Sequence, residues 1–473
     1  MSLRELVRVF VKGGIISTGD FYKVLLVAEK LGAAHINLGS RQDILFPSKE
    51  TKNTALDQEF EAINGHYEIN TFQYQNIASS YVAQEIVPGK QWLASHIYHY
   101  ILDSFDYRPK LRINIVDSSQ SLVPLFTGQI NFLASNQENF WYVYLRCKEI
   151  NIIPYQLPLL VFSEDLVKIA RCIEKDKLIS KGLNYKQIFD YLTKNLNLNT
   201  QPVTESLSLP DINFPYYEGI NRISDGKYWL GLYWRNNEYS ISILKAIIEK
   251  AIATNIGNLS LTPWKSFVIK GIFEKDRMGW EKLLGRFGMN LRHSALELNW
   301  HLPALSKPAL HLKFYLVREL DKMDISTYGL TFTIKTSDDI TLFTSIVIEF
   351  VTDETFNILY SKDFNPNLNN YKTYAMDVPK TVLASLIVEL SKMYFENFKD
   401  EYPLSSKLKT ISDNIQKELY QCIHCQTVYD SELGDPNYSI REGTSFAELP
   451  NEYCCSTCGG PKTDFERMKM RNN

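Results

Sequence analysis

The chain has 473 residues, 45% hydrophobic and 13% aromatic, with a formal net charge of −3. That length allows several domains with cores of their own. The near-neutral balance excludes a bulk electrostatic case for nucleic acid or an anionic membrane as partner.

In chain order, the opening glycines Gly13 and Gly14 lead into an apolar-periodic stretch at Phe21, Val24, Leu25, Ala28 and Leu31. Thr18 or Asp20 is expected to cap this helix and Gly32 to close it. Two short strands are expected over 35–39 and 43–46, around Ser40-Arg41-Gln42. The same order returns as a helix over 239–253 followed by Leu259-Ser260-Leu261-Thr262-Pro263-Trp264-Lys265 and an apolar run to Ile269. Sliding one copy on the other puts Leu38 over Leu261, Arg41 over Trp264, Ile44 over Phe267 and Leu45 over Val268, which implies a duplicated α+β unit. Each copy is followed by a longer mixed region. After the first, a helix is expected over 91–103, then Pro109-Lys110-Leu111-Arg112, then Gly128-Gln129-Ile130-Asn131-Phe132 and the run 141–145. After the second come strands over 310–316 and 330–334, a hydrophobic run over 343–351, and a long helix opened by Pro379 in its first turn. Residues 399–418, polar and broken by Pro403, read as a linker.

No apolar run reaches membrane-spanning length, and the charged opening lacks a signal-peptide core. Of seven cysteines, four stand in metal-ligand spacing and the others are Cys147, Cys172 and Cys454. They do not suggest a disulfide framework, and a reducing, cytoplasmic location is expected. His96 and His99 share a face of the expected helix 91–103 and offer two ligands, but no third is near in sequence, so a packing or surface role is expected. His293, beside Arg292, reads as a structural hydrogen-bond partner.

The most informative stretch is the last. Cys422-Ile423-His424-Cys425 is answered by Cys455-Ser456-Thr457-Cys458, and two such knuckles supply a tetrahedral all-sulfur shell for one zinc or iron ion. Between and around them stand Tyr420, Tyr429-Asp430, Gly434-Asp435-Pro436, Gly443, Phe446, Leu449-Pro450, Tyr453, Gly459, Lys462 and Phe465. In this combination, residues 420–465 resemble rubredoxin, a small module that holds one iron on four cysteines and passes one electron at a time. The resemblance implies Cys422, Cys425, Cys455 and Cys458 as ligands of one iron ion, with Cys454 outside the set. Gln426 stands where the family has glycine after the first knuckle, Ser456 where it has proline, and Thr427 where an aromatic is common. A strained first knuckle and altered amide hydrogen bonds to sulfur are therefore expected.

The duplicated order of roughly residues 8–400 is similar to the nitrite and sulfite reductases, whose ferredoxin-like half-domains alternate with halves of a siroheme-binding domain. The likeness rests on Leu38-Gly39-Ser40-Arg41-Gln42-Asp43-Ile44-Leu45-Phe46, Pro109-Lys110-Leu111-Arg112, Gly128-Gln129-Ile130-Asn131-Phe132 and Leu261-Thr262-Pro263-Trp264-Lys265. The expected fold is α+β, a duplicated nitrite/sulfite reductase-like body with a small C-terminal rubredoxin-like metal domain. The implied divisions are ferredoxin-like half-domains at 1–85 and 211–285, siroheme-domain-like regions at 86–210 and 286–398, the linker 399–418 and the rubredoxin-like domain 419–473. By match to the motifs, Arg41, Lys110 and Arg112 take positions of siroheme-contacting cations, since guanidinium and ammonium groups pair with the carboxylates of that tetrapyrrole. The reductases also join siroheme to a four-iron cluster through cysteines of the second half. Between Cys172 and Cys422 this chain has no cysteine, so no four-iron cluster is expected there.

The resulting expectation is an electron carrier with no catalytic residues of its own, working with a redox partner protein such as a nitrite or sulfite reductase or its reductant. Nucleic acid and membrane are not expected as partners. Two alternatives stand beside it: a siroheme-binding reductase fed by the rubredoxin iron, and a non-redox assembly module whose four cysteines hold structural zinc.

Overall fold

A computed structural model describes residues 5–48, 53–63, 65–146, 154–210, 214–223, 226–289, 295–337, 340–368, 370–397 and 419–468. The expected linker 399–418, Cys147, Arg292 and His293 lie outside them. Two compact units, residues 1–395 and 396–473, are described separately.

The body begins with β1 (Glu5–Val9), β2 (Ile15–Ser17), α1 (Thr18–Lys30), β3 (His35–Leu38), β4 (Ile44–Ser48), α2 (Asn53–Glu61) and β5 (Tyr67–Ile69). There follow β6 (Ala78–Ser79), α3 (Ser95–Ser104), β7 (Ile113–Asp117), β8 (Ile130–Ala134), β9 (Phe140–Leu145), β10 (Tyr155–Phe162), α4 (Leu166–Lys175), α5 (Tyr185–Asn195) and β11 (Thr200–Pro202). The second half runs β12 (Gly219–Arg222), β13 (Lys227–Tyr233), β14 (Tyr239–Ser240), α6 (Ile241–Ala253), β15 (Asn258–Leu261), β16 (Ser266–Phe273) and α7 (Glu274–Arg286). It ends in α8 (Ala295–Leu298), β17 (Trp300–His301), α9 (Lys307–Lys322), β18 (Phe332–Lys335), β19 (Ile346–Phe350), β20 (Thr355–Ser361), β21 (Tyr371–Pro379) and α10 (Leu383–Asn397).

The duplication is explicit in the sheets. One has the order β14-β3-β4-β1-β5 and its counterpart β2-β15-β16-β13-β12, so each half lends its short strand to the edge of the other. The register repeats as well: Leu38 faces Ile44 in one hairpin, and Leu261 faces Phe267 in the other. Ser17 caps α1 by accepting from the Asp20 amide at 3.0 Å, and Gly32 at φ 82 closes it. The first amide of each helix is caught by the opposite half, Thr18 N by Gly257 O at 3.0 Å and Ile241 N by Ala34 O at 3.1 Å. The apolar faces of the two helices, with Phe21, Leu25 and Ala28 on α1 and Leu244, Ile247 and Ile248 on α6, share one core with both hairpins. Each fully buried side chain of this size contributes about 1.5–3 kcal/mol.

The larger sheets repeat too. In β6-β7-β8-β9-β10-β11 the first two pairings are parallel and the rest antiparallel, and β17-β18-β19-β20-β21 follows the same pattern. Strands β7, β8 and β9 are buried on both faces. Ile113, Ile115, Phe132 and Val143 pack toward α3, α4 and α5, while Val116, Leu133 and Tyr142 pack toward Trp229, Trp264 and Val268 of the second half. Two covered faces explain why these stretches read as continuous apolar runs rather than alternations.

Three expectations about local structure fail. The cap of α1 is Ser17, not Thr18 or Asp20, because the Ser17 hydroxyl is the group that reaches the Asp20 amide. Residues 310–316 are helix α9, not a strand: Ser306 caps it, proline stands in its first turn, and Ala309, Leu312, Leu316 and Leu320 form its buried face. The apparent two-residue alternation in Leu310-His311-Leu312-Lys313-Phe314 is part of this wider helical spacing. Pro379 ends strand β21 instead of opening a helix, and α10 begins at Leu383 after a short 3-10 turn. Among the described residues no helix is long and apolar enough to cross a membrane.

Candidate metal centre

The C-terminal unit is a three-stranded antiparallel sheet in the order β23 (Val428–Asp430), β22 (Leu419–Cys422), β24 (Phe465–Arg467). Its core is aromatic. Tyr420 stacks on Phe446 with centroids 4.0 Å apart, and Tyr429, Tyr438 and Tyr453 meet edge to face. The buried polar tips find partners, Tyr453 OH donating to Asp435 at 2.9 Å and Tyr429 OH to Thr444 O at 2.7 Å. Lys462 Nζ donates to Leu449 O at 2.6 Å and lies over the Phe446 ring.

The knuckles are built alike. In the first, Cys422 N donates to Thr427 O and Gln426 N to Cys422 O, both at 2.9 Å. In the second, Cys455 N donates to Gly460 O at 2.7 Å and Gly459 N to Cys455 O at 2.8 Å. Each closes on a residue in the left-handed region, Gln426 at φ 62 and Gly459 at φ 74. The turn geometry of the missing glycine is thus kept by a side-chain-bearing residue, at a conformational cost of about 1–2 kcal/mol. Gln426→Gly is expected to stabilise this unit by about 0.5–1 kcal/mol after the entropic cost of glycine. A denaturant midpoint for the C-terminal unit that stays level or falls would show that the turn bears no strain.

These turns aim all four cysteine sulfurs at one point. The Sγ atoms of Cys422, Cys425, Cys455 and Cys458 lie within 4.8 Å of one another, with Cys422 to Cys458 at 3.6 Å and Cys425 to Cys455 at 3.4 Å. A tetrahedron with metal–sulfur bonds of about 2.3 Å needs sulfurs roughly 3.8 Å apart, so the donor set fits one tetrahedral ion. Thr427 provides a feature not foreseen from the sequence. Its hydroxyl lies 3.1 Å from Cys425 Sγ and, with its amide, favours the thiolate, lowering this thiol to about 6. Gly460 packs so close that a Cβ there would lie 3.1 Å from His424 and 3.5 Å from Cys458 Sγ. Cys454 stands outside the set, its thiol directed to Glu452 O at 3.4 Å. Among the described residues this is the one cluster of metal-binding side chains, and His96 and His99 are exposed on α3 without a third ligand.

The three basic residues of the body differ in how far their charge is already used. Arg41, in the β3–β4 turn, is buried, and both terminal nitrogens are spent on neutral protein acceptors. Nη1 donates to Asn114 Oδ1 at 2.6 Å and Thr127 Oγ1 at 3.2 Å, and Nη2 to Asn76 O at 2.8 Å and Ile113 O at 2.7 Å. Burial, then the charge of Arg112, lowers its pKa to about 9. Arg112 donates to Thr341 Oγ1 at 2.9 Å. Lys110 is exposed, with its ammonium 5.7 Å from the Tyr74 ring. Arg146, not singled out by any motif, is buried near Arg112, and its Nε and Nη1 lack partners. A carboxylate-rich tetrapyrrole requires forks open to it, and Arg41 presents only a buried Nε. Arg41, as placed, is therefore not open to such a carboxylate.

Comparison with known proteins agrees with this division. Residues 419–465 match the rubredoxin family. A high molecular weight rubredoxin of Moorella thermoacetica is 47% identical over 49 residues, which are 10% of this chain and 21% of that protein, so the chain spans about a fifth of its length. The rubredoxin of Acinetobacter baylyi is 39% identical over 51 residues, 11% of this chain and 94% of that protein. Rubredoxin-2 of Rhodococcus erythropolis is 36% identical over 53 residues, 11% of this chain and 84% of that protein. Among solved structures, the Mycobacterium tuberculosis NirA protein superposes with a TM-score of 0.64 over 83% of this chain and 81% of its own, at 13% identity, a likeness of fold. The body therefore has a NirA-like fold, and through residues 419–465 the chain belongs to the rubredoxin family.

Proposed function

We propose that this protein is an electron carrier in which a rubredoxin-type mononuclear iron centre is covalently attached to a reductase-like docking body. The observation that carries the reading is the convergence of four cysteine sulfurs within 4.8 Å in a rubredoxin frame. Cys422, Cys425, Cys455 and Cys458 would hold one iron ion, which would supply a one-electron ferric/ferrous couple when bound. The chain's own contribution is a pair of matched turns that hold the sulfurs in place, so that little rearrangement accompanies the change of charge. The hydroxyl and amide of Thr427 on Cys425 and the close approach of Gly460 tune the site through the groups around sulfur.

The partner is proposed to be a redox protein of nitrite or sulfite assimilation, either a reductase or its reductant. Attachment to the body keeps the carrier at high effective concentration beside whatever the body binds. Of the acids between 420 and 465, Asp435 turns inward to Tyr453, while Glu432, Glu442, Glu448 and Glu452 are exposed and Asp430 and Asp464 partly so, against Arg441 and Lys462. Such a face steers toward a basic one. When the reduced chain is mixed with a siroheme reductase, the rate of its reoxidation is expected to fall at least tenfold between 10 and 300 mM salt, an order-of-magnitude expectation of roughly Debye screening. Reduced chain alone should stay reduced in nitrite or sulfite. Rapid reoxidation by either substrate without a partner would identify the body as a reductase instead.

A further inference from the structure

The two halves differ at one matched position. Gln42 and Lys265 each follow the residue at the tip of a repeated hairpin, and both have positive φ, 59 and 57. Gln42 is fully satisfied: its amide donates to Ser79 O at 3.0 Å and Leu261 O at 2.7 Å, and accepts from Ser79 N at 2.8 Å. The second half puts an ammonium group where the first has this neutral seal. Lys265 is 6% exposed, and among the described residues its Nζ has one acceptor, Leu302 O.

Lys265 lines a cavity of about 200 Å³ that Lys313 of α9 also lines. Lys313 is 1% exposed, and its Nζ donates to Tyr233 OH and to Glu297 O. The walls include Trp264 and Trp300, the latter stacked on Phe332 at 4.6 Å, and the amino end of α9 at Ser306 and Lys307. The nearby carboxylate of Glu297 is already paired, 3.2 Å from Arg235 Nε. Around this hollow the cations Lys265, Lys313, Arg235 and Lys307 outnumber the carboxylates Glu297 and Glu238, and Glu297 is shared with Arg235, so the buried lysines are under-compensated in the protein alone.

We propose that this cavity binds a small carboxylate-bearing molecule, its carboxylate shared by Lys265 and Lys313 and its apolar part against Trp264 and Trp300. The site is built from residues of the body, and the proposal does not depend on the electron-carrier reading. Burial, then the neighbouring Lys313, holds Lys265 down to about 7, and burial holds Lys313 down to about 8. The other charged or titratable groups around them are Tyr233, Arg235, Glu238, Glu297, His301 and Lys307, and the His301 imidazole is pushed well below its ordinary value by burial and by Lys265. A bound carboxylate favours the protonated lysines, so binding should take up protons and weaken as pH rises from 7 to 9.

The test is calorimetric titration of the full chain with benzoate, acetate and phosphate in two buffers of different ionisation enthalpy. Saturable benzoate binding, stronger than acetate, with proton uptake near pH 7.5, is expected. Lys265→Gln, which restores the first half's residue, and Lys313→Met should each weaken it at least tenfold while the melting of the body and the visible spectrum stay as in the parent. No saturable binding, binding of phosphate but neither carboxylate, or undiminished benzoate binding by both folded variants would overturn the proposal.

Discussion

Cys455→Ser is expected to abolish stoichiometric metal binding and, with it, the folded state of residues 419–468, whereas Cys454→Ser next to it should change neither. The reason is both geometric and energetic. Cys455 is 1% exposed, its sulfur faces Cys425 across the site, and its amide closes the second knuckle, while the adjacent Cys454 thiol is directed to Glu452 O. Among the unit's described residues the buried apolar side chains are Cys422, Tyr429, Leu449, Tyr453, Cys455 and Phe465, too few to hold so small a chain without a staple. Structural tetrahedral metal sites contribute about 10–16 kcal/mol, far more than this core supplies. Metal analysis together with near-ultraviolet circular dichroism measures both effects. A Cys455→Ser chain that keeps one ion per molecule would mean that Cys454 has taken its place and that the local geometry is not as described.

Arg41→Ala should destabilise the body by at least about 3 kcal/mol. Its guanidinium is the common donor for Asn114, Thr127 and the carbonyls of Asn76 and Ile113, and removal leaves several buried acceptors unpaired at about 1–3 kcal/mol each. Lys110→Ala, at an exposed position, should fall within about 0.5 kcal/mol of the parent. Denaturant unfolding of the body, followed by tryptophan fluorescence, compares the two. Equal and negligible effects would return Arg41 to the role of an open ligand cation. A visible tetrapyrrole band after incubation with siroheme, lost in Arg41→Ala, would do the same.

How far these features were legible depends on the range of the forces that make them. The metal site was readable because two-residue gaps within each knuckle and the turn residues around them dictate where the sulfurs point. The duplication was readable because its hairpins keep one register, Leu38 to Ile44 and Leu261 to Phe267. Helix α9 was misread because Leu310, Leu312 and Phe314 mimic an alternation; the capping Ser306 and the spacing of Ala309, Leu312, Leu316 and Leu320 were the stronger signal. The commitment of Arg41 to the interior was not readable, since its acceptors at Asn76 and Asn114 lie 35 and 73 residues away. The inward turn of Asp435 likewise depends on Tyr453, 18 residues on.

The most direct test is an anaerobic reductive titration of the full chain made with ample iron, followed by visible spectroscopy and metal analysis. One iron per chain, a red ferric thiolate spectrum that bleaches on uptake of one electron and returns on reoxidation, is the expected result. Zinc in that protein, with no reversible one-electron couple, would contradict the electron-carrier account and leave the four cysteines a purely structural clasp.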